Sequence, residues 1–166
     1  MPPISLLLVD DNPRFLQVLS RFLHTRYSAD VAVIGMARNG IEALARAQVV
    51  RPQVVLLDLA MPGMPGWEVI PRLRKELPEV GIIVLSLLES GAYREMVLEA
   101  GADAFVGKST LAAELVPAIR RVAANRLQRI PGGEIGLVLS GEKIGGREFP
   151  EGEEERHVRA GVGHRR

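Results

Sequence analysis

The segment ISLLLVDDNP, residues 4–13, shows the pattern that governs the first three-quarters of the chain. A short continuous apolar run ends in two aspartates. Asn12 and Pro13 then combine a capping side chain with a proline at the first helical position. Apolar runs of this length, bounded by polar or turn-forming residues, are typical of strands buried on both faces of a parallel sheet. The segment therefore predicts a buried strand followed directly by a helix.

The same alternation recurs along the chain. Further apolar runs lie at residues 31–37, 54–57, 81–85 and 104–106. Apolar residues at helical spacing lie between and after them, at residues 15–23, 41–49, 69–73, 96–100 and 111–122. Five strands alternating with five helices predict an α/β domain, a doubly wound parallel sheet covered by helices on both faces.

The composition narrows the classes of function. With 166 residues, 47% of them apolar and 25% charged, the chain has the length of one ordinary domain with an appendage. A net charge of +1 gives no global attraction to nucleic acid or membrane, and the absence of cysteine excludes disulfides, thiolate zinc sites and cysteine nucleophiles. Because no apolar run approaches the roughly 18 residues of a membrane span, we expect a cytoplasmic protein with no membrane partner.

Polar residues follow each of four predicted strands. Asp10 and Asp11 follow the first strand, Asp58 the third, Ser86 the fourth and Lys108 the fifth. The carboxyl ends of parallel strands share one rim of the sheet, where ligands bind. Three carboxylates at one rim raise each other's pKa unless a cation joins them, and oxygen ligands suit Mg²⁺. Singly, each residue has a plainer role as a helix cap, a turn residue or a surface lysine. Because all five residues are predicted to lie at one edge of the sheet, a functional site is favoured over these separate roles.

Four motifs together resemble the receiver domain of two-component response regulators. They are Asp10-Asp11-Asn12, DLAMPG at residues 58–63, Ser86 after an apolar strand, and FVGK at residues 105–108. The resemblance covers about residues 4–126, and GMARNGIEAL at residues 35–44 resembles the branch that usually adds a helix-turn-helix DNA-binding domain. It implies a flavodoxin-like sheet with strand order 2-1-3-4-5 and five helices.

The resemblance also implies a role for each site residue. Asp58 is the nucleophile that accepts a phosphoryl group from a phosphohistidine on a sensor histidine kinase. Asp11 and Asp58 ligate Mg²⁺ (or Mn²⁺) through their carboxylates, Asp10 acts mainly through a bound water, and Ala60 contributes its backbone carbonyl.

The remaining implied roles concern the phosphorylated state. Lys108 pairs with a phosphoryl oxygen, and Ser86 hydrogen-bonds another. The movement of the Ser86 hydroxyl lets the Phe105 ring turn from an exposed to a buried position. The resemblance implies that phosphorylation shifts the population between existing conformations of this surface, because the phosphoryl group makes different contacts in each of them. A partner-binding patch is expected beside it, formed by Leu87, Leu88 and Tyr93.

The sequence departs from the family pattern in two places. Ser109 follows Lys108 where the family usually has a proline, so the usual cis bond is not expected. The second departure is residues 127–166, a glycine-rich charged tail that we expect to be mostly flexible. A helix-turn-helix module needs three amphipathic helices, and the tail has no recognisable DNA-binding domain, so DNA binding by this chain is not expected. A naturally solitary receiver, a truncated chain and a shifted reading frame all stay open.

Three functions are compatible with these residues. The leading hypothesis is a phosphorylation-activated receiver in transcriptional regulation, which catalyses only its own phosphorylation and dephosphorylation and has a homodimer as a possible active state. One alternative is a phosphorylation-independent, receiver-like scaffold. The other is a Mg²⁺-dependent aspartyl-phosphate phosphatase of the haloacid-dehalogenase type, although those enzymes have a D-x-D pattern after the first strand. The cognate kinase, its signal and the regulated genes are not encoded in any recognisable motif.

Overall fold

Five parallel strands form one sheet in the order β2-β1-β3-β4-β5 in the computed structural model, which describes residues 1–129. The strands are β1 (Ile4–Val9), β2 (Val31–Ala37), β3 (Val54–Asp58), β4 (Gly81–Ser86) and β5 (Ala104–Gly107). The helices are α1 (Pro13–Tyr27), α2 (Gly40–Val50), α3 (Gly66–Glu76), α4 (Gly91–Ala100) and α5 (Leu111–Arg126), with 3₁₀ turns at Lys108–Thr110 and Leu127–Arg129. The predicted flavodoxin-like fold is confirmed. The predicted tail lies, from residue 130 onward, outside the described residues.

The sheet separates two apolar cores. Along β1, Leu7 and Val9 face the core under α2, α3 and α4, while Leu6 and Leu8 face the core under α1 and α5. Every residue of β3 is buried. Because helices cover both faces, the central strands are continuously apolar rather than alternating. None of the helices within residues 1–129 combines the length and the apolar character needed to cross a membrane.

Local capping determines where the helices begin and end. The Asn12 side chain accepts hydrogen bonds from the backbone N–H groups of Arg14 and Phe15 at the start of α1, with Pro13 in the first helical position. Gly101 ends α4 in the left-handed region, with φ of 115° and backbone bonds to the last turn. A residue with a Cβ is strained at such a φ, which is why a glycine closes this helix.

The strand order places the functional side chains next to each other. Val9 pairs with Leu57 across β1 and β3, so the residues that follow them, Asp10 and Asp58, end neighbouring strands. β1 also pairs with β2 on its other side, and the direction of winding reverses at this point. In an open α/β sheet, this reversal produces the crevice in which ligands bind.

At the edge of the sheet opposite the carboxyl ends, an arginine joins the segments that precede β4 and β5. The Arg74 guanidinium donates to the backbone carbonyls of Val80 (2.6 Å) and Gly101 (2.7 Å) and to the carboxylate of Asp103 (2.9 Å). Arg129, after α5, also pairs with Asp103. Backbone carbonyls at this edge of the domain thereby receive side-chain donors.

Candidate functional site

Three aspartates form a cluster at the carboxyl edge of the sheet. Asp10, Asp11 and Asp58 each offer a carboxylate oxygen, and these oxygens all lie within 4.8 Å of one another. Asp10 and Asp58 are buried, with 2% and 6% of their surface exposed, whereas Asp11 is exposed. Two desolvated carboxylates and one solvated carboxylate create a strongly negative crevice, which a cation stabilises.

Lys108 supplies positive charge to this cluster from the end of the last strand. Its Nζ lies 2.7 Å from Asp10 Oδ2 and 3.5 Å from Asp58 Oδ1. Pairing of Ser86 with Gly107 carries the chain of β5 alongside β4 and delivers Lys108 to the rim. The ammonium is therefore closer to Asp10 than to Asp58. Lys108 and Asp10 are 98 residues apart in sequence, so the tertiary fold brings them together.

Both oxygens of the Asp10 carboxylate have protein partners. Oδ1 accepts a hydrogen bond from the backbone N–H of Asn12 at 2.9 Å, and Oδ2 accepts one from the Lys108 ammonium at 2.7 Å. The Asn12 residue also caps α1, so one turn of chain orients Asp10 and starts the helix. This arrangement leaves the Asp58 and Asp11 carboxylates with fewer protein contacts than Asp10.

The environment raises the pKa of Asp58 from its ordinary 3.8 to about 6. Burial is the largest cause, because desolvation disfavours the charged form, and the neighbouring negative charge of Asp10 adds to it. The Lys108 charge lowers the pKa, and Asp11 raises it by a smaller amount. The Asp58 side chain is therefore ionised above about pH 6 and protonated below it.

The two residues of the predicted switch occupy defined positions. Ser86 is 1% exposed, and its hydroxyl oxygen accepts a hydrogen bond from the backbone N–H of Leu88 at 2.9 Å. The Phe105 ring is 9% exposed and packs in the core that α4 covers. The ring thus has its inward position in this structure, which is the end point of the predicted movement.

The other predicted residues lie on the surface around the rim. Ala60 is exposed in the loop after β3. Leu87, Leu88 and Tyr93 have 76%, 38% and 36% of their surface exposed, in the β4–α4 loop and the first turn of α4. Each of the three exposes apolar surface, and their role as a partner-binding patch stays a prediction.

Three residues without a predicted role lie beside Lys108, and one of them, Phe15, contacts its ammonium. The Phe15 ring lies beneath Lys108, with Nζ 4.1 Å from the ring centroid. Glu89, in the β4–α4 loop, accepts hydrogen bonds from the Ser109 hydroxyl at 2.5 Å and the Ser109 N–H at 3.2 Å. These bonds lower the pKa of Glu89, the hydroxyl more than the N–H. The position of Phe15 shortly after the helix cap was the available signal, since it brings the ring to the same rim.

The fold and this edge define a signalling domain of two-component systems. The family model for the response regulator receiver domain matches residues 6–120. The chain therefore belongs to the response regulator receiver domain family. The VraR response regulator of Staphylococcus saprophyticus is 31% identical over 125 residues, covering 74% of this chain and 58% of that protein. VraR of Staphylococcus aureus is 32% identical over 122 residues, covering 72% of this chain and 56% of that protein.

Solved structures are similar to the chain over the same region. A LuxR-family two-component response regulator from Aurantimonas sp. SI85-9A1 has a TM-score of 0.70 and 31% identity, covering 75% of this chain and 87% of that chain. A LuxR-family DNA-binding response regulator from Staphylococcus aureus has a TM-score of 0.66 and 28% identity, covering 72% of this chain and 98% of that chain. The predicted family, and its branch with DNA-binding members, is confirmed.

The chain spans somewhat more than half the length of the two VraR proteins, 58% and 56%. The shared part is the receiver domain. Receiver domains are signalling modules that take phosphoryl groups from sensor kinases and bind Mg²⁺ at an acidic pocket. This chain has a cluster of three carboxylates, Asp10, Asp11 and Asp58, at the carboxyl edge of its sheet.

Proposed function

We propose that residues 4–126 are a phosphorylation-activated receiver domain that accepts a phosphoryl group on Asp58 from a sensor histidine kinase. The observation that carries this proposal is the position of the Asp58 carboxylate. It lies at the carboxyl edge of the sheet, beside two further carboxylates and 3.5 Å from the Lys108 ammonium. A nucleophile, a cation partner and a charged crevice are the parts that phosphoryl transfer requires, since that reaction depends mainly on positioning and electrostatics.

The chemistry of the transfer depends on these groups. One Asp58 carboxylate oxygen attacks the phosphorus of the kinase phosphohistidine, and a P–O bond forms as the P–N bond breaks. The electron pair of the P–N bond stays on the imidazole nitrogen, and the product on Asp58 is an acyl phosphate. Because the Asp58 pKa is about 6, the carboxylate is mostly ionised at neutral pH. Lys108 would pair with the negative phosphoryl oxygens, and Ser86 would hydrogen-bond one of them.

The same residues fit a divalent cation. Three carboxylates whose oxygens lie within 4.8 Å of one another, with one lysine to offset them, leave a net negative site that suits a hard cation such as Mg²⁺ or Mn²⁺. Asp11 and Asp58 would hold the ion directly, together with the Ala60 carbonyl. Asp10 would act through a water, since both its oxygens have protein partners. When bound, the ion neutralises charge on the transferring phosphoryl group.

The output of the domain is a changed surface around β4, α4 and β5. The Ser86 oxygen accepts a hydrogen bond from the Leu88 N–H, and its O–H would donate to a phosphoryl oxygen. One hydroxyl would thus link the β4–α4 loop to the phosphoryl group, and this contact would favour the buried position of Phe105. We propose that Leu87, Leu88 and Tyr93 contact the partner, and that a homodimer is one form of this interaction.

The proposal extends to the wider role of the protein. A role in transcriptional regulation is supported by the similarity to a LuxR-family DNA-binding response regulator. The chain would act in the cytoplasm and catalyse only its own phosphorylation and dephosphorylation. DNA binding by residues 127–166, most of which lie outside the described part of the chain, is not part of this proposal.

A phosphatase of the haloacid-dehalogenase type is less well supported by the contacts at β1. In such enzymes the nucleophile follows the first strand, where this chain has Asp10. The Asp10 oxygens accept hydrogen bonds from the Asn12 N–H and the Lys108 ammonium, and both bonds stabilise the carboxylate charge and so weaken Asp10 as a nucleophile. The Asp58 carboxylate lacks such a backbone partner and is the better nucleophile.

Intact-protein mass spectrometry tests the proposal. The full chain is incubated with Mg²⁺ and phosphoramidate, and the Asp58→Asn variant serves as the nucleophile control. We expect one added phosphoryl group on the wild type and none on the variant. An Asp30→Asn variant, at a surface carboxylate that pairs with Arg120, should be phosphorylated like the wild type. An unmodified wild type that still binds Mg²⁺ would support the scaffold, and label on Asp10 in Asp58→Asn would support the phosphatase.

A further inference from the structure

The aromatic face of Phe15 lies against the Lys108 ammonium, which is central to the acidic cluster. Nζ is 4.1 Å from the ring centroid, well within the range of cation–π attraction. We propose that Phe15 is a positioning residue, whose ring holds the Lys108 ammonium at the edge of the site, ready for the phosphoryl group. This inference rests on the proposed function of Asp58 as phosphoryl acceptor.

Three contacts define the position of the ammonium. Asp10 holds it at 2.7 Å, Asp58 lies at 3.5 Å, and the Phe15 ring lies at 4.1 Å. A lysine side chain is a flexible four-carbon stem, so a single ion pair leaves it considerable freedom. The lysine side chain is only 13% exposed, and cation–π attraction is stronger when the cation is desolvated. The ring therefore restricts the ammonium without adding another negative charge beside Asp58.

The ring itself is held by the start of α1. The Phe15 N–H donates to the Asn12 side chain at 3.2 Å, and the ring packs against the core under α1 and α5. The Asn12 N–H in turn orients Asp10 at 2.9 Å. One helix cap thus positions both residues that hold Lys108, the carboxylate and the aromatic ring. Sites built on such supported elements keep their geometry better than sites built on long loops.

Apolar packing is the plainer explanation for Phe15, and the choice of substitution separates the two roles. Leucine in Phe15→Leu keeps an apolar side chain in the helix but has no aromatic face. Tyrosine in Phe15→Tyr keeps the face. Phe22→Leu is the matched control, because Phe22 lies on the same helix, packs against the same core and contacts Tyr27 edge-to-face rather than a lysine.

The test measures the rate of Asp58 phosphorylation against phosphoramidate concentration at saturating Mg²⁺. We expect Phe15→Leu to lower the maximal rate about threefold to tenfold, with little change in the half-saturating donor concentration, as expected from the strength of such contacts. Phe15→Tyr should restore the rate to within about twofold of the wild type, and Phe22→Leu should leave it unchanged. A wild-type rate in Phe15→Leu, or an equal loss in Phe15→Leu and Phe15→Tyr, would overturn the proposal.

A second measurement does not depend on phosphorylation. In a double-mutant cycle on urea unfolding, Phe15→Leu and Lys108→Met are compared singly and together. Non-additive effects would establish the contact even if Asp58 accepts no phosphoryl group, in which case only the proposed function fails. Additive effects would overturn the positioning role, whatever the phosphorylation result.

Discussion

The backbone of Gly66 lies directly against the backbone of Asp58. A methyl group added to Gly66 would come within 2.5 Å of the Asp58 carbonyl oxygen and 2.9 Å of Leu59 Cα, and neither atom belongs to a side chain that can turn away. The Gly66 N–H also donates to the Leu59 carbonyl at 2.9 Å. The first residue of α3 therefore acts as a spacer that lets this helix begin beside the proposed phosphoryl acceptor.

Gly66→Ala should lower stability and slow phosphorylation, because the helix must move away from the Asp58 backbone. We expect a loss of about 1–3 kcal/mol in the free energy of unfolding, as for other overpacked sites. Urea denaturation and the mass-spectrometric assay measure the two effects. Gly91→Ala is the control, since Gly91 begins α4 with open space around its Cβ position, and it should stabilise the protein by about 0.4–1 kcal/mol. Equal effects of the two substitutions would contradict the close approach.

The raised pKa of Asp58 predicts a pH dependence of stability. Folding favours the protonated form of this carboxyl, so its unfavourable contribution is absent below about pH 4 and complete above about pH 6. When a chelator keeps the site free of metal ions, the free energy of unfolding should therefore fall as the pH rises from about 4 to about 6. Asp58→Asn cannot ionise and should be more stable than the wild type at neutral pH by ~1–2 kcal/mol after allowance for screening. Thermal unfolding of both proteins across this pH range measures the difference, and parallel curves would refute this.

The Glu89–Ser109 pair predicts a second pH dependence of stability, with a sign opposite to that of Asp58. Hydrogen bonds from Ser109 favour the ionised carboxylate and lower its pKa, so the stability they contribute is present above the ordinary pKa and lost as the pH falls through the lowered value. Ser109→Ala should return the Glu89 pKa most of the way to 4.5, because the hydroxyl has the larger effect. Carbon-13 NMR titration of the carboxyl follows it. Thr110→Ala, in the same turn, should leave the Glu89 titration unchanged.

Removal of the Arg74 guanidinium should destabilise the edge opposite the site. Arg74→Met leaves the carbonyls of Val80 and Gly101 without these donors and Asp103 without the more buried of its two cations. We expect a loss of about 2–3 kcal/mol in urea denaturation, typical of a partly buried ion pair with several hydrogen bonds. Arg72→Met, at an exposed position of the same helix, should change stability by less than about 0.5 kcal/mol. A comparable loss in both variants would show that the network is energetically minor.

All five strands are predictable from the apolar runs, but three of them extend one residue further than the runs indicate. The runs end at residues 57, 85 and 106, whereas β3, β4 and β5 end at Asp58, Ser86 and Gly107. Apolar side chains mark the buried part of a strand, but ladder pairing is made by the backbone, and it continues through Asp58↔Leu85 and Ser86↔Gly107. Asp58 and Ser86 are thus both the last members of the ladder and the first members of the site.

Side-chain contacts between distant elements could not be predicted. Phe15 satisfies the apolar periodicity of α1, and this periodicity carries no information about Lys108 above its ring. Arg74 likewise occupies a position that the sequence pattern assigns to the solvated face of its helix. Its partners are mostly backbone carbonyls, and because every residue has one, the sequence does not indicate which of them Arg74 contacts. The location of Asp10, Asp58 and Lys108 at one rim was predictable from the parallel direction of the strands, whereas the adjacency of Asp10 and Asp58 depends also on the strand order.

The 98-residue separation between Asp10 and Lys108 has a consequence for the order in which the domain is synthesised. A chain that has emerged from the ribosome only as far as β4 contains all three carboxylates but lacks the lysine that offsets their charge. The site thus becomes electrostatically complete with the last strand. If the gene were divided between α4 and β5, neither fragment would contain the whole site, and phosphorylation of Asp58 would report the reassembly of the two pieces.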